Sequence, residues 1–325
     1  MRMNNYGEVL RHFCPAESPI EAMVCTSDSQ KLIIGQVATD EEIPTLSVID
    51  IESGEIIKVI EKSDDWENTV WRLVIDKNDE YIVYLKQVFD GYQIVTYNLK
   101  TEEKKLMMEI ENDDKYKGFI IGPNDELVMG IDNIINFFDL GSNKLIKSIR
   151  LDEEKTITEK THCYTSLAFS PDGKLMAVGG LKNGEVLLYD LQTEQIINRF
   201  SANFEYPRRI VFDPTGKLLF VLDYWTHGVF VWNIETYERY MHHVFNEKWR
   251  SIYCMDFDPK DSKKIAMGTI RKSVEVIKIR SGEEPEEIFY DKLHKARVYN
   301  VLFTPDGKKL ISSGEDWHIV IRSVG

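Results

Sequence analysis

A chain of 325 residues that is 43% hydrophobic and 29% charged carries enough apolar material for a substantial core. Its 54 acidic residues outnumber its 40 basic ones, and the resulting charge of −14 repels polyphosphates and anionic lipid surfaces, which argues against nucleic-acid and membrane partners. Cys14, Cys25, Cys163 and Cys254 form neither a CxxC pair nor a Cys/His pair at zinc spacing. They fit reduced thiols of a cytoplasmic protein. The opening MRMNNYGEVLRHF lacks the apolar core of a secretory signal, and no apolar run reaches the roughly 18 residues that span a bilayer.

The first apolar segment, GEVLRHF from Gly7, reads as one short strand. After it a turn recurs along the chain: TSDSQ from Thr26, DKNDE from Asp76, GPNDE from Gly122, then SPDG, DPTG, DPKD and TPDG up to Pro305. The second positions are Ser27, Lys77, Pro123, Pro171, Pro214, Pro259 and Pro305, spaced 43 to 50 residues apart. Pro presets φ for such a turn and Gly accepts positive φ. Each turn joins two alternating apolar segments, and two further strands follow, as in LAFSPDGKLMAVGGLKNGEVLLYDLQTEQIINRF from Leu167.

A second set of marks closes the third strand of each repeat: VIDIESGE at Val48, TYNLKTEE at Thr96, FFDLGSNK at Phe137, LYDLQTEQ at Leu188, VWNIETYE at Val231 and VIKIRSGE at Val276. An aromatic or branched residue is expected to pack between sheets there. The following Asp or Asn starts a turn by bonding to backbone amides two residues on. Seven first turns and six of these marks leave the last repeat without a fourth strand. GEVLRHF has the pattern of the fourth strand GEIIKVI at Gly54, so residues 7–14 are expected to complete the last repeat. The expectation is an all-β, seven-bladed β-propeller of four-stranded antiparallel blades in one domain, 1–325, closed by the N-terminal strand. Such closure hides two strand edges.

These repeats resemble the WD-repeat and YVTN-type β-propellers over essentially the whole chain. In the last blade His294, Ser312 and Asp316 fall where WD-repeat proteins place the members of an internal hydrogen-bond network, so the resemblance implies a structural role for them. Arg322 occupies the place of that network's tryptophan, and no Trp-Asp dipeptide occurs, Trp232-Asn233 being nearest.

No catalytic constellation stands out: there is no GxSxG, P-loop, GxGxxG, HxH or HExxH. The sequence calls for no cofactor and no metal site, and repeated FSPDG and FTPDG segments read as turns. Propeller loops gather on two faces. Incoming loops, innermost-strand starts and second-to-third-strand loops share one of them. There the repeat register places Trp66, Arg72, Arg209, Trp225, Trp249, Arg250, Arg297 and Trp317, with Trp71, Tyr253 and Tyr299 at strand starts. Trp, Tyr and Arg are the residues of interface hot spots. The leading expectation is a monomeric, non-catalytic interaction module that binds a protein or peptide on this face. The alternative is a propeller-type hydrolase or lactonase, or a small-ligand sensor, working at the channel mouth.

Overall fold

The computed structural model describes residues 7–15, 18–64, 67–111, 118–131, 134–151, 166–179, 185–201, 207–223, 229–240, 252–280, 283 and 285–324. Strand β1 (Val9–Phe13) precedes the first blade, made of β2 (Ile20–Cys25), β3 (Lys31–Gln36), β4 (Pro44–Asp50) and β5 (Ile56–Lys62). Blade two is β6 (Val70–Ile75), β7 (Tyr81–Val88), β8 (Gly91–Asn98) and β9 (Lys104–Glu111). Blade three is β10 (Phe119–Ile121), β11 (Leu127–Ile131), β12 (Ile134–Phe138) and β13 (Leu145–Arg150). Blade four is β14 (Leu167–Phe169), β15 (Leu175–Val178), β16 (Glu185–Asp190) and β17 (Gln195–Ser201). Blade five shows three strands among the described residues, β18 (Pro207–Phe212), β19 (Leu218–Asp223) and β20 (Val229–Asn233). Blade six is β21 (Ile252–Asp258), β22 (Asp261–Thr269), β23 (Val274–Lys278) and β24 (Glu286–Asp291). The last sheet runs β1-β27-β26-β25, from β25 (Val298–Phe303), β26 (Lys309–Gly314) and β27 (Ile319–Ser323). These sheets define a seven-bladed β-propeller.

The N-terminal strand therefore does complete the last blade. Phe13 pairs with Ile319 and His12 with Val320, and at the other end Gly7 N donates to Ser323 O at 3.0 Å while Ser323 N donates to Glu8 O at 2.9 Å. The described residues form two compact units, one holding blades six, seven, one and two, the other blades three, four and five.

Burial follows position within the blade. Second and third strands such as β19 and β16 are apolar and buried almost throughout, because neighbouring sheets cover both of their faces. Fourth strands alternate, as in β9, with one side on the core and the other in solvent. Within the first unit Ile33, Leu46 and Val48 pack on Val70, Ile82 and Tyr84 between blades one and two. Ile311, Ile319 and Ile321 pack on Ile20, Leu32 and Ile49 between blades seven and one, with Phe13 of the closing strand against them. Within the second unit Trp232 is buried and packs 5.4 Å from Phe200, centroid to centroid, between blades four and five.

The recurrent turn keeps one geometry although its residues have drifted. Its fourth position is left-handed in Ser29 (φ 61°), Asp79 (53°), Asp125 (61°), Gly173 (70°), Gly216 (71°) and Gly307 (62°). Ser and Asp tolerate this conformation at some cost, while Gly has no Cβ to clash. Inside the turn a hydroxyl and a carboxylate are paired. Thr26 donates to Asp28, Ser170 to Asp172 and Thr304 to Asp306. In blade five the two types exchange places, and Thr215 donates to Asp213. Blade six departs from the pattern, since only Pro259 and Lys260 separate its first two strands.

The turns also touch across blades. Ser27 donates its amide and hydroxyl to Asp79 at 2.9 and 2.6 Å, and the Asp306 amide donates to Ser29 Oγ at 3.1 Å. Deleting residues 1–14 removes Phe13 from its cluster and strips β27 of its partner. Urea unfolding should show stability lowered by about 3 kcal/mol or more. An unchanged midpoint would mean that the strand is not part of the core.

Candidate functional site

In four blades the first strand opens with the same irregularity. The pairing skips one residue between Ile20 and Ala22, Val70 and Arg72, Pro207 and Arg209, and Val298 and Asn300. The skipped residues are Glu21, Trp71, Arg208 and Tyr299, and for Glu21, Trp71 and Tyr299 a bulge of this kind re-aims the side chain. Within the first unit Tyr299, Glu21 and Trp71 thus come from the same register position of consecutive blades. Tyr253 takes the corresponding place on blade six, directly after Ile252.

The first strands are tied to each other at this end. Asn300 donates its amide to Ile20 O at 3.0 Å, and in the loops beside them Ala38 N, just past β3, donates to Thr69 Oγ1, just before β6, at 2.8 Å. Glycine on the second strand lets the next first strand come close, for a Cβ on Gly268 would lie 2.6 Å from Val298. On this scaffold the Tyr253 and Tyr299 rings sit 5.0 Å apart. Burial pushes the Tyr299 phenol up to about 12, with Glu21, Glu315 and Tyr253 adding to the rise and Arg297 opposing it. Those five side chains therefore share one electrostatic neighbourhood.

Trp71 is 41% exposed and donates its indole N–H to Gln87 at 3.0 Å. Gln87 belongs to a hairpin whose tip carries Phe89, at 82% exposure the most open large apolar side chain among the described residues. Trp317 is also 41% exposed and lies in a tight turn, with φ 69° and its amide on Gly314 O at 3.1 Å.

The sequence-derived set divides. Arg72 and Arg209 occupy equivalent positions, opposite Leu85 and Leu222, each one residue past its bulge. Arg297 lies 3.8 Å from Glu315 and is exposed, as is Arg209. Trp66, Trp225, Trp249 and Arg250 lie outside the described residues. Glu21 and Phe89 were not singled out from the sequence. The signal for Phe89 was available, since Phe89-Asp90 stands between two eight-residue alternating runs, the second opening on Gly91. Among the described residues no group of three or more His, Cys, Asp or Glu side chains could hold a metal ion.

A second polar centre lies inside blade seven. His294 Nδ1 contacts the Asp316 carboxylate at 3.0 and 3.1 Å, and its Nε2 lies 2.8 Å from Ser312 Oγ. With Nδ1 protonated toward Asp316, Nε2 accepts the Ser312 hydroxyl proton, and the Ser312 oxygen accepts Arg322 Nη1–H at 2.8 Å. Arg322 is fully buried and holds Asp291 through Nε at 2.6 Å and Nη2 at 2.9 Å. A guanidinium thus stands in the tryptophan's place and carries the network on to the last strand of blade six. Burial pushes the Asp316 carboxyl up, but the bonds from His294, Lys295 N and His318 N outweigh it and hold it below the ordinary carboxylate value.

Residues 146–213 match the family described as "Anaphase-promoting complex subunit 4 WD40 domain", and residues 287–323 match "WD domain, G-beta repeat". The second segment starts on β24 and runs through the three C-terminal strands of the last sheet. No curated protein matches the sequence. Among solved structures, a chain from "Crystal Structure of Mitotic Checkpoint Complex" is similar with a TM-score of 0.74 at 15% identity, over 98% of this chain and 92% of that chain. The chain is a seven-bladed β-propeller, and two of its segments match WD-repeat family models.

Truncating Arg322 to Ala leaves Asp291 and Ser312 without their main partner in a dry site. This should cost about 3–5 kcal/mol in urea unfolding. A cycle with Asp291→Ala should show strong coupling, and additive losses would show that the pair acts separately.

Proposed function

We propose that this chain is a non-catalytic interaction module that docks a protein or peptide on the face formed by its incoming loops and innermost-strand starts. The observation that carries this reading is the repeated bulge, which turns Tyr299, Glu21 and Trp71 out at one level of consecutive blades. Aromatic rings flanked by carboxylates offer large contact area at low entropic cost, with polar groups to fix orientation. The similarity to a chain of a checkpoint complex supports a role within an assembly, and the charge of −14 supports a protein partner over nucleic acid. Arg72, Arg209, Arg297 and Trp317 belong to the proposed surface, as do Trp66, Trp225, Trp249 and Arg250. The module acts as a monomer in the cytoplasm in this reading.

Affinity capture from native lysate with the wild-type chain, repeated with Trp71→Ala and Tyr299→Ala, tests the proposal. A partner retained by the wild type should bind either variant about tenfold or more weakly in titration, while the thermal melts stay alike. Undiminished binding by both variants would place the contact elsewhere. Unfolding of the variants would instead make these residues part of the core.

A further inference from the structure

The closing strand has two unlike faces. Arg11 and Phe13 turn toward blade one, where Arg11 Nε donates to Glu52 O at 2.9 Å and Phe13 lies over Gly54. Glu52 there also receives Lys309 at 3.3 Å. His12 points the other way. Its ring lies 4.7 Å from that of His318, tilted by 56°, at the end of the polar chain that runs from Asp291 through Arg322, Ser312 and His294 to Asp316.

That chain has little left with which to neutralise a new positive charge. Asp291 accepts two bonds from Arg322. Asp316 accepts from His294, from Lys295 N at 2.7 Å and from His318 N at 3.4 Å. The Nδ1 of His318 is buried and has no hydrogen-bond partner among the described residues. A proton entering on His12 therefore meets the His318 imidazole and the fixed charge of Arg322, with the Asp316 carboxylate already engaged. Of the charged residues along this segment, Glu8 precedes β1 and Arg11 turns to Glu52 on blade one.

We propose that His12, facing the His318 ring, is a pH-operated latch, which holds the closing strand on blade seven when His12 is neutral and releases it when His12 is protonated. The direction of titration agrees. His12 stands on an exposed strand, and partial desolvation against blade seven lowers its pKa; His318, His294 and Arg322 lower it further, and Asp316 alone opposes them. A released strand regains the ordinary imidazole value of about 6.5 and binds protons more readily than the closed one. Closure is thus complete above that value, and it weakens as the pH falls through it toward the lower closed-state value. The latch is independent of the docking face proposed above, and its failure would leave that reading untouched.

Hydrogen exchange of segment 7–15 at pH 7.5 and 5.5, corrected with a free peptide of the same sequence, reads the latch directly. Protection should fall about threefold or more at the lower pH, while segment 31–36 of blade one stays protected. His12→Phe keeps a planar ring without a titrating nitrogen and should abolish the difference. His12→Lys should show low protection already at pH 7.5. Should His12→Phe fail to fold, His318→Phe removes the imidazole that His12 faces and should narrow the difference. Equal protection of the wild type at both pH values overturns the proposal, and so does a drop that persists undiminished in the phenylalanine variant.

Discussion

A four-stranded sheet of this size exposes two apolar faces and encloses no core of its own, so each blade is stable only with a neighbour against it. Every apolar cluster of the described residues is shared between adjacent sheets. Ile33 with Tyr84, Ile321 with Leu32 and Phe200 with Trp232 all belong to different blades. The constraint falls hardest where the chain's first and last strands meet. There β27 would present an unpaired edge, and Ile319 and Ile321 would lose the strand that covers them. Pairing with β1 answers both demands, and the buried Arg322–Asp291 pair fastens the same strand to the blade before it.

The number of blades and the closure were legible because turn chemistry repeats even where strands drift. Ser29, Asp79 and Asp125 are poor matches to glycine by residue type, yet each adopts the left-handed conformation that glycine takes in Gly173, Gly216 and Gly307. The hydroxyl–carboxylate pairing inside the turn survives an exchange of its two positions between Thr304–Asp306 and Asp213–Thr215. What persists is the bonding requirement rather than the identity of any one residue. Blade six shows the limit, since Asp258-Pro259-Lys260-Asp261 has the spacing of the turn but closes as a shorter hairpin.

The candidate site was legible only in part. A repeat register shows which loops share a face, and it marked Trp71, Tyr253 and Tyr299 as strand starts. It does not show that one residue per strand is squeezed out of the pairing, because a bulge leaves no mark in apolar alternation two residues long. Glu21 therefore went unnoticed, though it occupies the same place as Trp71. The sequence marked the arginines and not the carboxylates: Arg297 faces Glu315 at 3.8 Å, and carboxylates accompany the tyrosine pair. The sequence shows only that Arg322 occupies the tryptophan's place, and the structure makes it the link between the histidine network and blade six.

The joining of the chain's two ends is the claim on which the rest of the account depends. Head-to-tail cyclisation tests it most directly, linking Val324 to Gly7 through a turn of about four residues that contains Asn-Gly. If β1 and β27 are hairpin neighbours, the added link only removes entropy from the unfolded chain, and the cyclic protein should melt cooperatively at a higher temperature than the linear one. A cyclic product that melts lower, or loses its single cooperative transition, would show that the ends are not paired and would contradict the account.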